Sequence, residues 1–181
     1  MNFYPKRNKM TSKPLRILGI NVGHNGGCAL CVGGKIVVAI NEERLTRRKN
    51  TSGWLNALNY CLEAANACLD EMDLVVFSGY RELPCGFDGG LARFGFPKEK
   101  CVVADHHLSH ACSSFFTSPF EEALVFVYDG HGNNNSTESI YLGKGTGLKK
   151  IDGNPISDSK RGIVRAYEAF TAYFGWTAME A

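Results

Sequence analysis

Three of the chain's five histidines fall within five residues, in the stretch "HHLSH" from His106 to His110. On an α-helix, residues four apart share a face one turn from each other. His106 and His110 meet that requirement, and two imidazoles so placed can close on one metal ion. His107 points elsewhere. A carboxylate follows downstream, where the apolar run "ALVFVYDG" delivers Asp129 just before a glycine. Strand ends in α/β sheets are where ligands bind, and two imidazoles with a carboxylate suit iron(II), and also zinc or manganese. Gly130 and Gly132, which lack a Cβ, let backbone amides come close to phosphate oxygens. The same residues also admit a plainer reading, as a helix start with solvated or packed histidines and an ordinary Asp-Gly turn.

Two further stretches carry chemistry. In "NVGHNGGCAL", Asn21 to Leu30, a strand ends in a glycine-rich turn and another strand resumes. Such turns can cradle phosphate, and His24 at its tip can donate a hydrogen bond to an oxyanion or stand idle in solvent. In "NEERLTRRKN", Glu42 and Glu43 precede Arg44, Arg47, Arg48 and Lys49. That run can grip an anionic substrate or be a solvated charge run. His107 and His131 are further imidazoles that could act as a general base.

The elements that must position these residues are legible from periodicity. "LRILGINVG" reads as a strand, and "CALCVGGKIVVAINEE" as two strands around the Gly33-Gly34 turn. In "GWLNALNYCLEAANACLDEM" the apolar residues Leu55, Leu58, Leu62, Ala65 and Leu69 recur at helical spacing, with Ser52 as the expected N-cap. "DLVVFSG" and "KCVVAD" read as short strands separated by the loop "YRELPCGFDGGLARFGFP". "HHLSHACSSFF" then starts a helix capped by Asp105. "EALVFVYDG" and "TESIYLGKGTGLKKID" supply three more strands, and "GIVRAYEAFTAYFGW" closes as an amphipathic helix. Strand, tight glycine turn, strand, strand occurs near Ile17 and again near Val125. The expected fold is therefore α/β of the RNase H-like or actin-like kind: a basic arm over 1–14, a first lobe over 15–124, and over 125–181 the opening strands and helix of a second lobe.

Composition limits the function classes. A net charge of +2 gives no whole-chain argument for nucleic acid or an acidic membrane, and no apolar run approaches a membrane span. The seven cysteines are odd in number and mostly sit in apolar runs, which fits buried thiols in the cytoplasm better than a disulfide framework. Cys28 and Cys31 form a lone C-x-x-C within a strand, where they point to opposite faces, so two packed thiols are expected rather than a zinc site.

Taken together, "ILGINVGHNGGCALCVGGKIVVAINEERLTRRKN", "HHLSHACSSFFTSPFEEALVFVYDGHG" and "YEAFTAYFGW" resemble, in order and spacing, the O-carbamoyltransferases of the nodulation-protein and tobramycin/cephamycin type. The resemblance runs from about Leu15 to the end. It implies the actin-like fold shared with the tRNA threonylcarbamoylation enzyme, with an iron ion between the lobes beside a nucleotide. It also implies transfer of a carbamoyl group from carbamoyl phosphate to a hydroxyl of a small-molecule acceptor, through a carbamoyl-adenylate made from ATP. The ligands carried over are His106, His110 and Asp129, and the carbamoyl-site residues are His24 and Lys49. Two positions depart from the pattern: Asn25 stands where the family has Asp, and Asn133 where it often has Glu.

Family members continue well past this length. The chain is therefore expected to hold half of a metal and nucleotide site, to lack the second-lobe aspartate that is the fourth ligand, and to show no full carbamoyltransferase activity alone. Two other readings are a split-gene or non-catalytic metal- and nucleotide-binding module that needs the remaining half as a separate chain, and a sugar kinase-like phosphotransferase of the same fold. Asn25 and the histidine pair both count against the last.

Overall fold

The computed structural model describes residues 13–78, 94–130, 132–154 and 162–177. The chain condenses into two compact units, residues 1–77 with 83–103, and residues 78–82 with 104–181. The sequence-based division kept residues up to 124 with the first lobe. In the structure, residues 104–124 group with the strands that follow them.

The first unit is built on a five-stranded sheet in the order β3-β2-β1-β4-β5. Its strands are β1 (Arg16–Asn21), β2 (Gly27–Val32), β3 (Lys35–Asn41), β4 (Leu74–Ser78) and β5 (Cys101–Ala104). β1, β2 and β3 are successive antiparallel neighbours. Gly33 and Gly34 turn the second hairpin with φ of 57° and 83°, the left-handed pair that a two-residue turn requires. Helix α1 (Glu42–Thr46) follows β3 at once, so Glu42 and Glu43 belong to a helix and not to the strand. Helix α2 (Leu55–Ala64) covers the sheet with Ala57, Leu58 and Cys61, against Leu18, Ile20, Leu30, Val75 and Phe77. Each large apolar side chain so buried contributes about 1.5–3 kcal/mol.

Two details of α2 differ from expectation. Trp54, not Ser52, holds the N-cap position, and it offers no side-chain cap. The helix also stops at Ala64, short of Leu69, because Asn66 takes a left-handed φ of 46° and Leu69 lies in a separate single 3-10 turn. The loop predicted over 80–97 falls largely outside the described residues, as do Cys85 and His131.

The second unit has helix α3 (His106–Phe115) and a three-stranded antiparallel sheet β6-β7-β8, formed by Glu122–Tyr128, Glu138–Lys144 and Gly147–Gly153. Ala111 and Phe115 of α3 pack on Val125, Val127 and Tyr141. Gly143 opens the space for the Phe115 ring, which a Cβ there would meet at 2.6 Å. Helix α4 (Ile163–Tyr173) closes the described chain, its first amide held by the Glu138 carboxylate. This is the expected plan: antiparallel strands opening each half, helices following, in an α/β chain with RNase H-like strand order. Among the described residues no helix is long and apolar enough to cross a membrane. Cys28 and Cys61 are buried neighbours in the first core, and burial pushes both thiols above their ordinary range, Cys28 the more strongly.

Candidate metal centre

Helix α3 starts where the sequence places it. The Asp105 side chain accepts from the Leu108 amide at 2.9 Å. A second acceptor comes from far along the chain: Asn133 Oδ1 takes the His106 amide at 2.7 Å. Two of the first-turn amides that a helix leaves unsatisfied are thus occupied. The Asn133 bond also ties the helix start to the turn that follows Asp129. Asn133 entered the sequence analysis only as a departure from the family pattern, and the structure gives it this role.

His106 and His110 lie on one face of α3 and meet Asp129 at the end of β6. The separations are 2.5 Å from His106 Nε2 to Asp129 Oδ2, 3.7 Å from His110 Nε2 to the same oxygen, and 3.2 Å between the two Nε2 atoms. Asp129 is fixed by its own backbone: its amide donates to the Thr137 carbonyl, and its Oδ1 accepts from the Gly130 amide. Ligand atoms about 2.1 Å from a common divalent ion, at about 90–110° to one another, stand roughly 3.0–3.4 Å apart. The imidazole pair meets that spacing. One Asp129 distance is shorter and the other longer, so a small shift of a single carboxylate oxygen equalises them. Among the described residues this is the one cluster with metal-ligand geometry, and its donors fit a divalent transition metal.

The electrostatics agree. Burial alone raises the Asp129 carboxyl, but the hydrogen bond from His106, the His110 ring 3.7 Å away and the Gly130 amide outweigh it and hold the group well below the usual carboxylate range. The Asp129 carboxylate, 3.7 Å away, pushes His110 up. His107 moves the other way, because burial disfavours its charged form. His107 is 2 % exposed, with Nδ1 at 2.7 Å from Ser139 Oγ. A residue so enclosed does not touch an acceptor hydroxyl, which removes it as the candidate base.

The glycines separate. Gly130 is open on its Cβ side, with none of the described residues within 4 Å. Gly132 is buried, its amide donates to the Ser136 carbonyl at 2.7 Å, and a Cβ there would lie 2.4 Å from His107 Nε2. The absence of a side chain at Gly132 serves packing against His107, and its amide is already engaged.

The candidates from the other stretches lie in the first unit. His24 and Lys49 are exposed on neighbouring loops. Gly26 joins those loops: its amide donates to the Thr51 carbonyl, and its carbonyl accepts from the Glu42 amide. The Asn25 side-chain amide lies 3.2 Å from His24 Nδ1, within hydrogen-bond reach. An Asp at 25 would accept from Nδ1. Glu42 is not a substrate contact. It is 3 % exposed, and its carboxylate takes the Asn56 side-chain amide at 2.6 Å and the Ala57 backbone amide at 2.8 Å, capping α2 from outside. Glu43 is turned toward Arg44 and the Asn50 amide.

Fold and site define an α/β protein of RNase H-like plan that gathers two histidines and an aspartate on one helix face and one strand end. The chain belongs to the carbamoyltransferase N-terminus family, whose model matches residues 16–83 and 93–180. It is 33% identical over 200 residues to uncharacterized protein sll1178 of Synechocystis sp., a match covering 88% of this chain and 32% of that protein. It is 30% identical over 161 residues to nodulation protein NolNO of Sinorhizobium fredii, covering 75% of this chain and 24% of that one. The chain thus spans a third or less of these relatives' length. YeaZ of Pseudomonas aeruginosa superposes with a TM-score of 0.48 at 11% identity, over 77% of this chain and 65% of that one.

Proposed function

We propose that this chain is the N-terminal portion of an O-carbamoyltransferase. The group comes from carbamoyl phosphate, which gives up its phosphate, passes through a carbamoyl-adenylate formed from ATP with release of pyrophosphate, and ends on a hydroxyl of a small-molecule acceptor. In the last step the acceptor oxygen bonds to the carbamoyl carbon and its proton passes to solvent, the bond from that carbon to the AMP oxygen breaks, and AMP leaves with the electron pair. The observation that carries the reading is the convergence of His106, His110 and Asp129 in a chain of this family. Iron(II) is the ion we assign there, with zinc or manganese as substitutes that accept the same donors.

An ion so held supplies a Lewis acid to phosphate or carbonyl oxygens. The chain's own residues do the rest. Asp129 stays ionised, kept so by the histidine and Gly130 bonds. His24 would donate a ring N–H to developing negative charge, with Lys49 as a cation on the adjoining loop. Gly130 leaves room for a phosphate to approach the backbone beside Asp129. A second reading, a binding module that works with a further polypeptide, is favoured by helix α4, where Ile163, Tyr167, Phe170 and Phe174 share one face and are each at least 60% exposed.

The test is metal analysis of protein purified anaerobically with iron(II). His106→Ala and Asp129→Ala are expected to lose the metal that the parent chain retains. Unchanged content in both variants overturns the site. In parallel, calorimetric titration with carbamoyl phosphate is expected to show weaker binding for His24→Ala and Lys49→Ala, and equal binding in all three proteins overturns the carbamoyl assignment.

A further inference from the structure

His107 is next to a proposed ligand, yet its ring points into the core of the second unit. Nδ1 bonds to Ser139 Oγ, and Nε2 is buried with no hydrogen-bond partner among the described residues. An orphaned buried nitrogen costs free energy that a hydrocarbon side chain would not. What the imidazole offers in return is direction. It reaches from α3, the helix that carries both histidine ligands, to Ser139 on β7, the strand residue paired with Val127, two before Asp129. Its other edge lies against Gly132, three residues after Asp129.

We propose that His107 is a positioning residue for the metal centre, a wedge that sets the rotation of α3 and its spacing from Gly132 so that His106, His110 and Asp129 converge. This rests on the reading of those three as metal ligands. Three contacts define the wedge. The Ser139 bond fixes the ring, and the ring is one residue from His106 on a rigid helix, so fixing it fixes the helix face. The ring edge then limits how closely the Gly132 backbone can approach, and the next residue, Asn133, is held by its bond to the His106 amide.

The experiment is anaerobic equilibrium dialysis of the full chain against iron(II), with thermal melting of each variant alongside. In His107→Leu/Ser139→Ala both polar partners are replaced together, so the core keeps its volume and loses the orphaned nitrogen. It is expected to melt at or above the parent temperature while the iron(II) Kd rises by about 10–100-fold, the range for residues that orient metal ligands. His107→Asn keeps a polar atom at the Nδ1 position and is expected to stay within about 3-fold of the parent, the far smaller cost of keeping the orienting bond. Gly132→Ala drives its Cβ into the ring and is expected to lose affinity, and adding His107→Asn, which deletes Nε2, restores it. Affinity unchanged in the double variant, or affinity that simply follows melting temperature across the set, overturns the positioning role and leaves the metal site standing. If the double variant does not fold, the Gly132→Ala pair decides alone, and absence of rescue overturns the role. If the parent binds no iron(II), or His106→Ala binds as the parent does, the metal reading falls and this role falls with it.

Discussion

Replacing Glu42 by alanine should destabilise the first unit more than any other change of a single charged residue in the basic segment. The Glu42 carboxylate is buried and accepts two short hydrogen bonds, from the Asn56 side chain at 2.6 Å and the Ala57 amide at 2.8 Å, with a longer one from the Asn56 amide at 3.4 Å. Hydrogen bonds to a charged group contribute about 1.5–3 kcal/mol each. Removing the side chain also removes the cost of keeping its charge out of water, which offsets part of that sum. What does not cancel is the Ala57 amide, fully buried and then unpaired, together with the lost cap on α2. The net is a loss of about 2–4 kcal/mol for Glu42→Ala. Glu42→Gln keeps one acceptor oxygen and sets an NH2 against a donor, so it should fall between, at about 1–2 kcal/mol. Against a usual domain stability of about 5–15 kcal/mol, the alanine loss is large. The assay is urea unfolding followed by Trp54 emission in a Trp176→Phe background, which reads the first unit. At a slope of about 2 kcal/mol/M the midpoint falls by about 1–2 M for alanine. An alanine variant within about 0.5 kcal/mol of the parent, the usual range for surface changes, refutes the capping argument, and so does a glutamine variant no better than alanine.

Two further outcomes follow from the geometry. Gly26→Ala places a Cβ 1.7 Å from the Gly53 carbonyl oxygen, a backbone atom that cannot rotate away, and should prevent stable folding of the first unit. Gly34→Ala meets nothing within 4 Å and should cost only about 1–2 kcal/mol for its left-handed φ of 83°; a Gly26→Ala protein that melts with the parent contradicts the packing. In an NMR titration of the metal-free chain, the His110 ring should titrate above the ordinary histidine value because of the neighbouring Asp129 carboxylate, and His107 below it because of burial. The raised group stabilises the fold below the ordinary histidine pKa, and that contribution disappears as pH rises through its folded value; Asp129→Asn should bring His110 back down, and an unmoved His110 rules out the coupling.

Much of this protein could be read before any coordinates. The i, i+4 histidine pair follows from helix geometry alone once Asp105 caps the first turn. The Gly33-Gly34 hairpin follows from the backbone freedom of glycine. The strands follow from alternation and β-branching. These are local properties, set by residues within a turn or two of one another. Asp129 was legible as a strand-end carboxylate, but its meeting with His106 depends on how Phe115 and Ala111 seat α3 on β6 and β7, a packing outcome across more than twenty residues. The same holds for what was misjudged. Glu42 reads as one more charge in a charged run, yet it is buried because α1 folds back against the start of α2. His107 and Gly132 look like neighbours of the chemistry, and their contact with each other and with Ser139 exists only after helix, strand and turn have packed. Side-chain type and spacing name the ligands, while the long-range contacts that aim them leave no periodic trace, because they join residues whose separation along the chain carries no regular interval.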